Sequence, residues 1–119
     1  MFLPQDGPGR ITPARAHRVL EEGTAVLVDV RETDEYRAGH VPGSVHVPLS
    51  RLAAGADVPG RRDGHSLMLI CRSEHRSRQA AGLLGERGVA AVDVVGGMRA
   101  WAADGLAVQD PHGAAGTVI

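Results

Sequence analysis

The chain has 119 residues and a formal net charge of −1, enough for one domain and little more. That balance excludes a whole-molecule electrostatic attraction to nucleic acid or to a membrane, and no apolar run approaches the roughly 18 residues of a membrane span. Apolar residues make up 43% and aromatic ones 3%, so the core must come from Val, Leu, Ile and Ala; all 13 basic residues are Arg, which excludes lysine chemistry such as a Schiff base.

Residues 1–9, with Pro4, Gly7, Pro8 and Gly9, are expected to form a flexible leader. Thr12 is a good N-cap, Pro13 suits a first helical position, and Ala16, Val19 and Leu20 share one face of a helix that Gly23 stops. Residues 25–30 (AVLVDV) form a short apolar run, as in a strand covered on both faces. Residues 31–38 predict a short helix with an acidic start, ending at Gly39. After a turn at Pro42 and Gly43, residues 45–47 predict a brief strand, and 51–56 a turn or two of helix. A polar loop then runs through Gly64.

Residues 67–70 (LMLI) are the most strand-like core segment. The pattern of 75–87 predicts a helix with Ala80, Ala81, Leu83 and Leu84 inward and Gly88 as its stop. Gly82 and Gly85 weaken it by roughly 1 kcal/mol each relative to Ala, and are expected to permit close helix–sheet packing. Residues 91–95 predict a last strand, Gly96 and Gly97 a turn, and 98–103 a final short helix. Residues 110–119, with Gly113 and Gly116, are expected to form a flexible tail beyond a domain spanning 10–109. Alternating β and α pieces of this length imply an α/β fold, a mostly parallel sheet flanked by helices.

The one cysteine, Cys71, follows the LMLI strand and precedes a helix. A lone cysteine cannot form an internal disulfide and fits a reducing compartment, so a cytoplasmic location is expected. In open α/β sheets, ligands bind beyond the carboxyl ends of strands, where turn amides and a helix N-terminus favour an anion. Amides, dipole and nearby Arg also favour a thiolate, the nucleophilic form of cysteine. The run Cys71, Arg72, Ser73, Glu74, His75, Arg76, Ser77, Arg78 carries a formal +2, three Arg less one Glu, in a chain whose total is −1. The plainer alternative is a buried small hydrophobe beside a solvated helix start; an Arg five residues after the Cys favours a site.

Cys71 to Arg76 resembles the six-residue active-site loop of rhodanese domains, often written C-R-S-G-x-R-S. Three more stretches agree in order and spacing. Asp29, Val30, Arg31 and Glu32 resemble the family's D-V-R-E. Residues 39–48, from Gly39 and His40 to Pro48, resemble its G-H-I-P-G-A-x-x-I-P. Gly96, Gly97 and Trp101 resemble its closing G-G-x-x-x-W. The resemblance covers about residues 10–109 and implies a three-layer α/β domain with a mostly parallel five-stranded sheet.

It also implies double displacement. Cys71 would take the outer sulfur of a small anionic donor such as thiosulfate as a persulfide, then pass it to cyanide, a small thiol or a protein cysteine. The amides of Arg72, Ser73, Glu74, His75 and Arg76 would hold the persulfide, and Arg72 and Arg76 would attract the donor's sulfonate. Asp29, Arg31 and Ser77 would support the loop, with an ordinary buried ion pair as the alternative for Asp29 and Arg31. No cofactor, metal, nucleic-acid or membrane partner is implied.

The departure from the family is Glu74, where Gly is usual. A side chain there resists positive φ, and a carboxylate 5–6 Å from a bound anion opposes it by roughly 0.8–3 kcal/mol, unless it points outward or pairs with an Arg. On that ground Glu74→Gly is expected to raise turnover with thiosulfate. His40 is expected to be a turn hydrogen-bonder, Trp101 to cap the core under Gly97, and the six His lack ligand spacing for a metal. Two other functions fit the residues less well. One is a sulfur-carrier or regulatory binding module on the same fold; the other is a Cys-Arg phosphatase or arsenate reductase, whose loop generally places Arg six residues after Cys.

Overall fold

The structure is a computed structural model that describes residues 9–119; all of the expected leader but Gly9 lies outside them. Five strands, β1 (Arg10–Ile11), β2 (Ala25–Asp29), β3 (Val45–His46), β4 (Ser66–Ile70) and β5 (Val92–Val94), form one sheet in the order β1-β5-β4-β2-β3. Every pairing is parallel. The helices are α1 (Pro13–Glu21), α2 (Thr33–Ala38), α3 (Leu49–Ala53), α4 (His75–Glu86) and α5 (Gly97–Ala103).

Successive strand residues face opposite sides, and this period of two divides the core. Leu27, Met68, Ile70 and Val94 meet Ala16 of α1 and Met98 and Trp101 of α5 on one face. Val28, Leu67, Leu69 and Cys71 meet Leu52 of α3 and Ala80 and Leu84 of α4 on the other. The result is the three-layer α/β arrangement, with the carboxyl ends of β2 and β4 side by side through the Asp29–Ile70 pairing. Each fully buried Leu or Met contributes on the order of 1.5–3 kcal/mol to holding those ends fixed.

The helix signals hold where their chemistry is local. Thr12 Oγ1 accepts the Arg15 N–H at 3.3 Å, with Pro13 at the start of α1. Two features differ from the sequence reading. β1 was not anticipated, because two residues carry no periodic signal; it is made by pairing Arg10 with Asp93 and Ile11 with Val94. Gly82 and Gly85 do not serve close packing, since a Cβ at either would meet nothing within 4 Å.

Within residues 110–119, Asp110 Oδ1 accepts the His112 and Ala114 N–H groups at 2.8 and 3.0 Å. The Gly116 N–H donates to Val108 O and that of Thr117 to Ala38 O, both at 2.9 Å. Small residues permit this closure, because Gly39 lies directly under Thr117 and Gly116 under Gln109.

Candidate active site

Cys71 follows β4, and strand alternation turns it to the α4 face, where it is 1% exposed. Its Sγ lies 3.3 Å from the hydroxyl of Ser77 in the first turn of α4. Between them the chain turns through Arg72, Ser73 and Glu74. Gly97, at φ +58°, fixes this turn: a Cβ there would collide with the carbonyl oxygens of Cys71, Arg72 and Ser73. Two of those carbonyls also accept from α5, Cys71 O from the Met98 N–H at 2.8 Å and Arg72 O from the Arg99 N–H at 3.1 Å.

In a trans peptide the C=O and the following N–H point opposite ways. Turning three carbonyls onto α5 therefore turns the amides of Arg72, Ser73 and Glu74 away from it. Among the described residues, the amides from Arg72 to Arg76 donate to no protein acceptor. The last two open α4, where orphan donors are expected. Five consecutive free amides beside a cysteine form a concavity suited to negative charge.

Several residues singled out by sequence are held by partners on other elements. Arg76 is clamped by Glu35 of α2, its Nη1 and Nη2 donating to Oε1 and Oε2 at 2.5 and 2.8 Å. This bidentate pair holds the Glu35 carboxyl below the usual glutamate range and raises the Arg76 guanidinium. Arg72 is exposed, and its Nε donates to Ile119 O at 3.1 Å. Both fork nitrogens of Arg76 are thus engaged by Glu35, whereas Arg72 is held only through its Nε.

Glu74 takes the paired alternative. Its Oε1 meets Arg10 Nη2 at 3.0 Å and its Oε2 accepts the Gly96 N–H at 3.0 Å. Burial acts against the charge, but these two hydrogen bonds outweigh it and lower the Glu74 carboxyl. With φ at −147°, this position makes no demand for glycine. Both premises for expecting Glu74→Gly to raise turnover are therefore absent.

Asp29 and Arg31 form the buried ion pair. Arg31 Nε and Nη2 donate to Asp29 Oδ1 and Oδ2 at 2.9 and 2.7 Å, and Nη2 also donates to Gly39 O at 2.7 Å. Through Gly39 O they hold the chain leaving α2, and the Arg31 charge also helps lower Glu35, the partner of Arg76. His40 is a hydrogen-bonder as expected: its Nδ1–H donates to Tyr36 O at 2.9 Å, and its ring stacks on Tyr36. Trp101 is fully buried and its Nε1–H donates to Ala107 O at 3.0 Å. Ser73 and His75 line an open groove of about 960 Å³ beside the loop, together with Glu74, Arg78 and Arg99. Among the described residues, no group of three or more His, Cys, Asp or Glu gathers as metal ligands would, and no helix is long and apolar enough to cross a membrane.

Glu35, Asp93 and Arg10 were missed by sequence reasoning. Glu35 passed as one of several acids opening a short helix. Asp93 is 2% exposed, and a charged residue inside the VDV strand was the one available signal. Its carboxylate accepts from the Ser77 hydroxyl and from Arg10 Nη2, the latter at 3.0 Å.

Comparison with known proteins gives one family description, "Rhodanese-like domain", matching residues 12–104. YrkF of Bacillus subtilis, named as a sulfur carrier, is 40% identical over 76 residues, 63% of this chain and 40% of its own length. An HTH-type transcriptional regulator of Mycobacterium tuberculosis is 34% identical over 103 residues, 84% of this chain and 44% of its own. This chain thus spans less than half the length of these curated relatives. The human single-domain sulfurtransferase TSTD1 superposes with a TM-score of 0.69 at 30% identity, covering 82% of this chain and 97% of that structure.

Proposed function

The chain belongs to the rhodanese-like domain family, and from that premise we propose that it is a sulfurtransferase working through a Cys71 persulfide. The observation that carries the proposal is the turn after β4, whose carbonyls face Gly97 and whose amides from Arg72 to Arg76 are left unpaired beside Cys71. Such a turn suits a sulfur anion one bond beyond Sγ.

The Cys71 thiolate attacks the outer sulfur of thiosulfate or a related donor. The donor's S–S bond breaks and its electron pair leaves with sulfite. The outer persulfide sulfur, now carrying the negative charge, accepts hydrogen bonds from the loop amides. A thiophilic acceptor (cyanide, a small thiol or a protein cysteine) then attacks that sulfur and returns Cys71 to the thiolate. Arg72 meets the donor's sulfonate through its Nη groups, and Arg76 does so after leaving Glu35. Ser77 and Glu74 hold the turn, and Ser73 and His75 border the approach. The cycle calls for no cofactor and takes place in the cytoplasm.

Mass spectrometry of the intact protein after thiosulfate or polysulfide treatment tests this. One added sulfur on Cys71, removed by cyanide over repeated cycles, is the expected result; an unmodified thiol overturns it. A second reading, a sulfur-carrier or regulatory module with little turnover, is favoured by the 1% exposure of Cys71 and the engagement of Arg76 by Glu35. It predicts an adduct that forms once and discharges slowly. Phosphatase chemistry fits less well, since the Arg follows five residues after Cys71 and is paired.

A further inference from the structure

The hydroxyl of Ser77 has one hydrogen and three acceptors around it. They are Cys71 Sγ at 3.3 Å, Glu74 O at 3.1 Å and Asp93 Oδ1 in the shortest contact of the three. Asp93 reaches it from β5, and its other oxygen is held by Arg10 of β1. Arg10 also grips Glu74, so a chain of contacts runs Arg10–Asp93–Ser77–Cys71 and closes back on the turn. Cys71, Ser77 and Asp93 are all buried.

We propose that Asp93 is a positioning residue that governs the ionisation of Cys71 by competing with it for the single hydroxyl hydrogen of Ser77. An ionised carboxylate only accepts, and its charge makes it the stronger claimant. While Ser77 donates its hydroxyl hydrogen to the ionised Asp93, it presents lone pairs to sulfur, an arrangement that welcomes S–H and repels a thiolate. With a proton on Asp93, the carboxyl O–H donates to Ser77 Oγ. The hydroxyl then turns to the sulfur and stabilises the thiolate, whose proton has gone to solvent. Burial raises the Asp93 carboxyl and so eases its protonation, against the lowering effect of Ser77 and Arg10.

The other charged groups around the pair are Arg72 and Glu74 of the turn, His75 and Arg76 of α4, Glu35 of α2 and Arg10 of β1. Of these only Arg10 touches Asp93; in Asp93→Asn the amide donates to Ser77 Oγ as a protonated carboxyl would. The proposal deepens the persulfide reading but is tested on the resting thiol. Failure of sulfur transfer and failure of this competition therefore show separately.

The experiment is the pH profile of Cys71 alkylation by iodoacetamide in the unsubstituted protein, Asp93→Asn, Ser77→Ala and the double variant. Asp93→Asn is expected to move the midpoint down by about one pH unit, a tenfold gain in thiolate at a fixed pH below it. In the Ser77→Ala background the same substitution is expected to move it less than half as far. An unchanged or raised midpoint, or equal shifts in both backgrounds, overturns the proposal. Because Asp93→Asn removes a charged partner of Arg10, the unsubstituted protein supplies a second measurement. The infrared S–H stretch of its only cysteine is expected below that of a free thiol, as for a donor to Ser77; a free-thiol frequency overturns the proposal.

Discussion

Arg76 lies close enough to Cys71 to interact with its charge, yet Glu35 takes up both ends of its guanidinium fork. Bidentate Arg–carboxylate pairs are the strong ones, but this pair is partly solvated and is worth about 1 kcal/mol. Removing the carboxylate charge frees the arginine for a donor sulfonate. Glu35→Gln is expected to lower KM for thiosulfate about threefold to fivefold with a smaller change in kcat, the size of that 1 kcal/mol. Steady-state kinetics decide it, and a raised KM would mean that Glu35 aims the arginine instead. The same carboxyl carries a pH signature. Its folded-state pKa is depressed below 4.5, so its stabilisation is present above that pH and is lost as pH falls through the folded value. Urea unfolding of Glu35→Gln is therefore expected to lose less stability on acidification below 4.5 than the unsubstituted protein.

At the level of elements, the legible features were those whose cause is local. Thr12 with Pro13 marked α1, the LMLI run marked β4, and the paired glycines 96 and 97 marked the turn into α5. β1 was illegible because Arg10 and Ile11 become a strand only by lying beside β5. The position of Cys71 was legible, but the partners of its loop were not. Glu35, Asp93 and Arg10 come from three separate elements, and no spacing in the chain links them to residue 71. α4 shows the converse, a local signal given the wrong purpose. Gly82 and Gly85 were expected to make room for the sheet, yet open space faces both. Neither has the positive φ that would exclude a side chain. Gly82→Ala and Gly85→Ala are accordingly expected to stabilise the fold by roughly 1 kcal/mol each, through helix propensity and a less flexible unfolded chain. Urea denaturation checks this, and a loss of stability at either position would point to a contact made by the missing Cβ.

For the molecule as a whole, the segment after α5 folds back onto the chain between α2 and β3. It runs back across the sheet end, bridges His40 with Gln109 and Gln109 with Ala115, and brings Ile119 to Arg72. Composition suggested looseness because Gly113, Ala114, Ala115 and Gly116 carry no anchoring side chains. Their smallness is what lets backbone lie on backbone. Gly39 shows the consequence: a Cβ there would lie inside contact distance of Thr117 O, 2.7 Å from Thr117 N and 2.8 Å from Val108 Cγ1. Its extended φ of 178° is open to any residue, so the obstruction is the tail and not the local backbone. Gly39→Ala is therefore expected to lift residues 115–119 away while the sheet stays folded. The Gly116 and Thr117 amides, which donate to Val108 O and Ala38 O, would then lose protection in hydrogen exchange. Those of β2 and β4 would keep theirs. Equal loss across the sheet would show the tail to be part of the core's cooperative unit, and unchanged protection would mean that the contact at Gly39 is relieved without release of the tail.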